Sequence, residues 1–270
     1  MRFHKPAGIV LLWCPTAWAL LVANQGLPAM DLLLYFLLGT ILMRAAGCVL
    51  NDIADRQIDK HVQRTKLRPL TSGEIRLSEA FGLLFILLFA AFLVLIQLPR
   101  ICFYYALFAL FITALYPFCK RFFAAPQLIL GLAFSVGIPM AYAASGVKPD
   151  ITLLVLFVIN FAWIVAYDTM YAMADRADDL RLGVKSTAVL FGAYECSILG
   201  GLLIFFHGLW LYLAVLEHYS VWFYVAWCLA GGVLVYQQCL IRSRDASVCL
   251  RAFSMSGVYG ILMWLGLIAA

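Results

Sequence analysis

Apolar runs close to twenty residues long recur from one end of this 270-residue chain to the other, and that recurrence limits the fold more than any other feature. About twenty residues of α-helix cross a hydrocarbon core of roughly 30 Å. Nine such runs can be read, over residues 7–23, 32–53, 78–97, 101–118, 124–144, 150–171, 195–216, 221–241 and 253–269. Lipid offers backbone N–H and C=O groups no partner, so a spanning segment is either a helix or part of a closed barrel. Barrel strands are about ten residues long and alternate in polarity, whereas these runs are apolar throughout. The expectation is an all-α, polytopic membrane protein of nine transmembrane helices. Composition agrees: 12% of residues are charged, against about a quarter in a soluble domain.

Arg2 and Lys5 precede the first run as they would in a secretory signal. No small-residue cleavage site follows and further spans come at once, so the first run reads as a retained helix. The eight cysteines show no CxxC pair and the four histidines are dispersed. The cysteines read as buried small hydrophobes, and neither residue type suggests a metal cluster. No Ser/Gly-rich linker divides the chain, which is expected to form a single membrane domain over residues 1–270.

Nine spans put the loops 54–77, 119–123, 172–194 and 242–252 on one side with the N-terminus. Counting Arg44 at its helix approach, every Lys and Arg except Arg100 and Lys148 belongs to that side. The positive-inside rule makes this side cytoplasmic, and the expected home is a bacterial inner membrane. All the carboxylates except Asp31, Asp150 and Glu217 share it. The rule gives no reason for that second bias, so the acids call for a separate account.

They concentrate in two similar hexamers, "ADRQID" at 54–59 and "ADRADD" at 174–179. If the second span continues as helix through the first hexamer, Asp52, Asp55 and Asp59 fall within about 60° of one another at about 100° per residue. On the same reckoning Asp168, Asp175 and Asp179 fall within about 40°. Carboxylates sharing a helix edge repel one another, and Lys partners at i+4 are mostly missing, so stability does not explain the pattern. A divalent cation does. Mg²⁺ is held through a few carboxylates, retained water and substrate phosphates, so two facing acidic edges suit two Mg²⁺ ions with a diphosphate between them.

Basic residues flank both hexamers: Lys60, Arg64, Lys66 and Arg68 after the first, Arg181 and Lys185 after the second, with Lys120 and Arg121 in a short loop between. Cations amid metal-binding acids make sense where the ligand brings spare phosphate oxygens. Arg44 stands apart, about 16 Å deeper than Asp55 on the same helix and about 20° off its stripe. An arginine so far inside a span marks a functional site facing the bundle interior, and one below a diphosphate site suits the carboxylate of an organic acid. Asn51 lies on the stripe between them.

The chain resembles the UbiA superfamily of membrane aromatic prenyltransferases, on "NDIADRQID" and "DTMYAMADRADD" and on stretches that cover nearly its whole length: "MRAAGCVLND", "RTKLRPLTSG", "YPFCKRF", "GIPMAYAA", "GVKSTAVLFG" and "VYQQ". The long stretches look like the bacterial branch that prenylates 4-hydroxybenzoate; members of the superfamily with other acceptors, such as haem, chlorophyllide or dihydroxynaphthoate, are the closer alternatives. The resemblance implies nine helices around a central, lipid-accessible cavity opening to the cytoplasmic face, a Mg²⁺ cofactor, and polyprenyl diphosphate as donor. It further implies transfer to the ring carbon ortho to the 4-hydroxybenzoate hydroxyl, in ubiquinone biosynthesis. Metal-diphosphate positions carry over to Asn51, Asp52, Asp55, Asp59, Asp168, Asp175 and Asp179, and the arginine of the loop after the fourth helix falls on Arg121. The catalytic candidates are thus Asp55, Asp175, Asp168 and Arg121. Lys120, Arg121, Arg64, Arg68 and Lys185 are candidates for the diphosphate, and Arg44, Asn51 and Asp168 for the aromatic acceptor. The one departure is a very short stretch before the first span, where a lipid-surface segment is expected. The partners expected are the two substrates and membrane lipid, with no nucleic acid and no protein partner inferable.

Two other classes fit less well. A CDP-alcohol phosphotransferase needs a DG step where Asp55 is followed by Arg56. A secondary transporter would keep its carboxylates near the bilayer midplane on broken helices, whereas these cluster at helix ends.

Overall fold

The computed structural model describes residues 7–62 and 65–270. Thirteen α-helices follow one another: α1 Ala7–Ala23, α2 Met30–Ala54, α3 Arg56–Asp59, α4 Pro69–Ser72, α5 Leu77–Leu95, α6 Ile101–Cys119, α7 Pro126–Ser135, α8 Gly137–Ala144, α9 Ile151–Leu182, α10 Thr187–Phe191, α11 Glu195–Leu216, α12 Val221–Ile241 and α13 Ala246–Ile268. A 3-10 turn, Gly192–Tyr194, joins α10 to α11. Among the described residues no strand occurs. Eight helical runs are long and apolar enough to cross a bilayer, with α7–α8 as one run and α10–α11 as another; the ninth expected span is the shorter apolar α1. The chain is a multi-pass membrane protein.

Local chemistry explains the helix ends. Asp150, Ser186, Ser220 and Asp245 each accept a hydrogen bond from a backbone N–H of the helix they precede, satisfying donors a first turn leaves unpaired. Pro69 and Pro126 open α4 and α7, where no N–H is needed. The run 126–144 is interrupted at Val136 because Pro139 has no N–H to give the Ser135 carbonyl four residues back. Helix α9 ends on Gly183 at φ 69°, a left-handed stop that glycine adopts without strain.

The core lies between α1, α9, α11 and α13. Trp18 stands 5.0 Å from Trp163 and 5.2 Å from Trp210, ring centre to ring centre. Its indole N–H donates to the Gly260 carbonyl at 3.1 Å. That contact needs a glycine, since a Cβ there would stand 2.8 Å from Cys14 Sγ and 3.0 Å from the Trp163 ring. Small residues at such crossings let membrane helices approach closely. Cys14, Cys48, Cys102, Cys119 and Cys249 are buried as expected, but Cys228 and Cys239 are exposed on α12 and Cys196 is half-buried. Helix α12 presents much of its surface outward, where an apolar bilayer accepts a thiol as readily as a core does.

One sequence expectation is corrected. Helix α2 does not run on through Asp59: it ends at Ala54, Asp55 turns at φ −89° and ψ 3°, and α3 begins at Arg56. The N–H groups of Asp55 and Asp59 still bond the carbonyls four residues back, so the break is a kink and the three aspartates stay on neighbouring turns. Helix α9, by contrast, is unbroken through Asp168, Asp175 and Asp179. Its 32 residues span about 48 Å at 1.5 Å per residue, well beyond a hydrocarbon core of about 30 Å.

Candidate active site

A cavity of about 1320 Å³ runs down the bundle from the ends of α2 and α9. Its mouth is charged and its depths are apolar. Asn51, Asp52, Asp55 and Asp59 line one side, and Asp168, Asp175 and Asp179 line it from α9. Arg68, Lys120 and Lys185 also line it, and Arg44 stands deeper on α2. The two hexamers, 120 residues apart, therefore face one space.

The carboxylates in and just before the first hexamer are held by cations. Arg68 Nη1 donates to Asp52 Oδ1 at 2.9 Å and to Asp59 Oδ2 at 2.5 Å, so one guanidinium nitrogen serves two acids. Lys120 Nζ donates to Asp55 Oδ2 at 3.0 Å, while Asp55 Oδ1 is buried without a hydrogen-bond partner. Burial pushes the Asp59 carboxyl above the usual carboxylate range, against the pull of Arg68 and a hydrogen bond from Thr65. Backbone contacts tie the loops of the mouth together. The Lys185 N–H donates to the Lys120 carbonyl at 2.8 Å, and Arg181 Nη2 donates to the His61 carbonyl at 2.8 Å and to Asp178 Oδ1 at 2.9 Å.

The oxygen-rich donor set with one orphaned carboxylate oxygen fits a hard divalent cation. Among the described residues no three acids, histidines or thiols converge into a complete metal cage. An incomplete protein shell suits a cation whose remaining ligands are water and substrate phosphate.

One candidate for the diphosphate is not brought to the cavity. Arg121 is absent from its lining; its Nη2 donates to the Ala54 carbonyl at 3.3 Å and its guanidinium lies 5.5 Å from the Phe118 ring centre. The kink after Ala54 exposes that carbonyl, and the arginine caps it. Arg64 lies outside the described residues.

Deeper down, Arg44 lies 6.0 Å from the Phe134 ring centre and against Gly8 of α1. Neither Arg44 nor Asp168 makes a hydrogen bond or direct ion pair with another described residue, yet the charges of Arg44, Lys120 and Asp175 all reach Asp168. Sequence reasoning missed Tyr116, Tyr171 and Gln127 of the lining. Tyr116 precedes Lys120 by one helical turn and Tyr171 follows Asp168 by three residues, a helical spacing that places each beside a residue already singled out.

Such a cavity, anionic and cationic at its mouth and apolar below, within a bundle of membrane-spanning helices, defines a membrane-embedded protein for amphiphiles with a multiply charged head. The model of the UbiA prenyltransferase family matches residues 12–266. The chain belongs to that family. It is 61% identical over 264 residues to the 4-hydroxybenzoate octaprenyltransferase of Legionella pneumophila strain Lens, covering 98% of this chain and 94% of that one. The 4-hydroxybenzoate octaprenyltransferase of Vibrio parahaemolyticus is 44% identical over 270 residues, covering 100% and 95%. Among solved structures, the apo UbiA homolog from Aeropyrum pernix K1 superposes with a TM-score of 0.83 at 20% identity, over 96% of each chain. A UbiA homolog from Archaeoglobus fulgidus bound to GPP and Mg²⁺ does so with a TM-score of 0.74 at 19% identity, over 98% of each chain. These last two likenesses speak to the fold.

Proposed function

We propose that this chain transfers a polyprenyl group from polyprenyl diphosphate to the ring carbon ortho to the hydroxyl of 4-hydroxybenzoate, releasing diphosphate, as a step of ubiquinone biosynthesis. The observation that carries the reading is the vertical order of the cavity: facing acids and cations at the mouth, and an arginine with unspent donors below them. Full-length likeness to 4-hydroxybenzoate octaprenyltransferases supports it. In this reading residues 1–270 act as one domain of the bacterial inner membrane, with the mouth and N-terminus in the cytoplasm.

Asn51, Asp52, Asp55 and Asp59 on one side and Asp175 and Asp179 on the other would hold Mg²⁺, which supplies Lewis-acid neutralisation of the leaving diphosphate. Lys120, Arg68 and Lys185 bind the phosphate oxygens left over, and their charges offset what builds up as the allylic C–O bond breaks and its electron pair leaves with diphosphate. Arg64 is a further member of this set, and Arg121 joins it once a bound diphosphate draws its guanidinium from the Ala54 carbonyl. Release of Lys120 and Arg68 from their carboxylates to the diphosphate is the exchange this requires.

The allylic cation that remains is destroyed by water, so its carbon belongs below the mouth among Tyr116, Tyr171 and Phe134, whose ring faces favour a cation. Arg44 holds the acceptor carboxylate. Asn51 and Asp168 hold the phenol, and Asp168 takes the ring proton after the ortho carbon bonds to the allylic carbon. The test is to incubate membranes carrying the protein with labelled 4-hydroxybenzoate and allylic diphosphates of several lengths, with Mg²⁺ or EDTA. Lipid-soluble label that depends on Mg²⁺ is expected; its absence with every donor would sink the reading.

A further inference from the structure

Gly8 is the point at which α1 meets the deep end of the cavity. An ideal Cβ built on it would stand 2.6 Å from Arg44 Nε and 2.8 Å from Cζ, and closer still to Nη2. The Nε–Nη2 edge of the guanidinium therefore abuts the glycine. The guanidinium carbon stands 6.0 Å from the centre of the Phe134 ring. Both neighbours confine the guanidinium without a hydrogen bond, and the Arg44 side chain makes no hydrogen bond or direct ion pair with another described residue. An arginine side chain is long and rotamer-rich, and bidentate pairing with a carboxylate demands a fixed plane. A seat that confines the guanidinium without a hydrogen bond leaves its donors for a ligand.

We infer that Gly8 is a specificity-determining positioning residue: by lacking a Cβ it seats the Arg44 guanidinium so that its free donors meet the carboxylate of the aromatic acceptor. The inference rests on the proposed acceptor role of Arg44. It has a consequence that a packing role lacks. The atoms a methyl group would strike are the far end of a flexible side chain, so Gly8→Ala moves the guanidinium and leaves the backbone in place. Alanine also favours helix over glycine, so the helix itself does not suffer.

The experiment measures Gly8→Ala, Arg44→Ala, Arg44→Lys and the double variant Gly8→Ala with Arg44→Lys in the full-length protein. Geranyl diphosphate is the donor, and 4-hydroxybenzoate or its uncharged amide is the acceptor. Misplacing a charge-assisted pair costs a factor of about ten or more, so Gly8→Ala is expected to raise the KM for 4-hydroxybenzoate by at least that factor. The KM for geranyl diphosphate, turnover of the amide and the melting temperature in detergent stay close to the parent values. In the Arg44→Lys background, where no guanidinium edge abuts the glycine, Gly8→Ala adds no further penalty. An unchanged KM in Gly8→Ala beside a raised one in Arg44→Ala would overturn the inference while sparing the acceptor reading. An unchanged KM in both would overturn both. Equal losses of folded yield on adding Gly8→Ala to the parent and to the Arg44→Lys variant would make Gly8 a packing residue and end the proposal.

Discussion

At Asp55 one carboxylate sits where α2 gives way to α3, pairs with Lys120 through Oδ2 and keeps a buried Oδ1 without a partner. Its neighbour Asp59 shares a single guanidinium nitrogen with Asp52. Such a cluster is short of positive charge, and that shortage can be measured. Asp55→Asn and Asp175→Asn are each expected to abolish Mg²⁺-dependent turnover, a loss of a hundredfold or more by the magnitude of ~3 kcal/mol per lost transition-state contact. Both variants should elute folded from a sizing column in detergent. Asp59 adds a pH effect. Its folded pKa lies above the ordinary 3.8, so between those two values the folded chain holds more protons than the unfolded one and stability falls as pH rises. With EDTA present, the melting temperature should decline through that acid range, and Asp59→Asn should flatten the slope. The acidic residues were legible in the sequence because spacing alone sets their angles on a helix. The surroundings of Arg121 were not, because the carbonyl it caps is exposed by a kink 67 residues away.

Among the elements, α9 did what its sequence suggests and α2 did not. Nothing in 151–182 interrupts the helix until Gly183, whereas Asp55 combines a polar side chain that competes for backbone groups with the pull of Lys120 from the end of α6. A local pattern shows the first and hides the second, which is a tertiary contact. The same holds at the start of α11. Glu195 lies in the first turn of α11, where an acid favours the helix dipole. In the fold its side chain is 1% exposed and meets Arg176 of α9 at 3.3 Å and Arg244, from the turn between α12 and α13, at 2.8 Å. It fastens three elements behind the second hexamer. Glu195→Ala should lower stability by about 2 kcal/mol, at the low side for a broken buried pair because both arginines are partly exposed, and thermal unfolding in detergent would read it. An unshifted transition would reduce Glu195 to a helix-end acid.

The whole molecule was the most legible scale, since bilayer thickness imposes a length on every span and the apolar runs carry it directly. What no run length specifies is which walls are tight. Orientation is testable at this scale too: with the native cysteines replaced, Lys148→Cys should react with a membrane-impermeant thiol reagent in intact spheroplasts, and Leu67→Cys, at a position 78% exposed beside the mouth, only after lysis. Reversed labelling would invert the proposed topology. The walls differ in a way that bears on traffic. Helix α5 packs extensively on α2 and barely touches α6, yet both α5 and α6 line the cavity. A prenylated product leaving through that loose seam would enter the oil phase while its diphosphate counterpart dissolved in the aqueous one. The two halves of the broken bond would then end in solvents that do not mix, and partition alone would oppose their recombination.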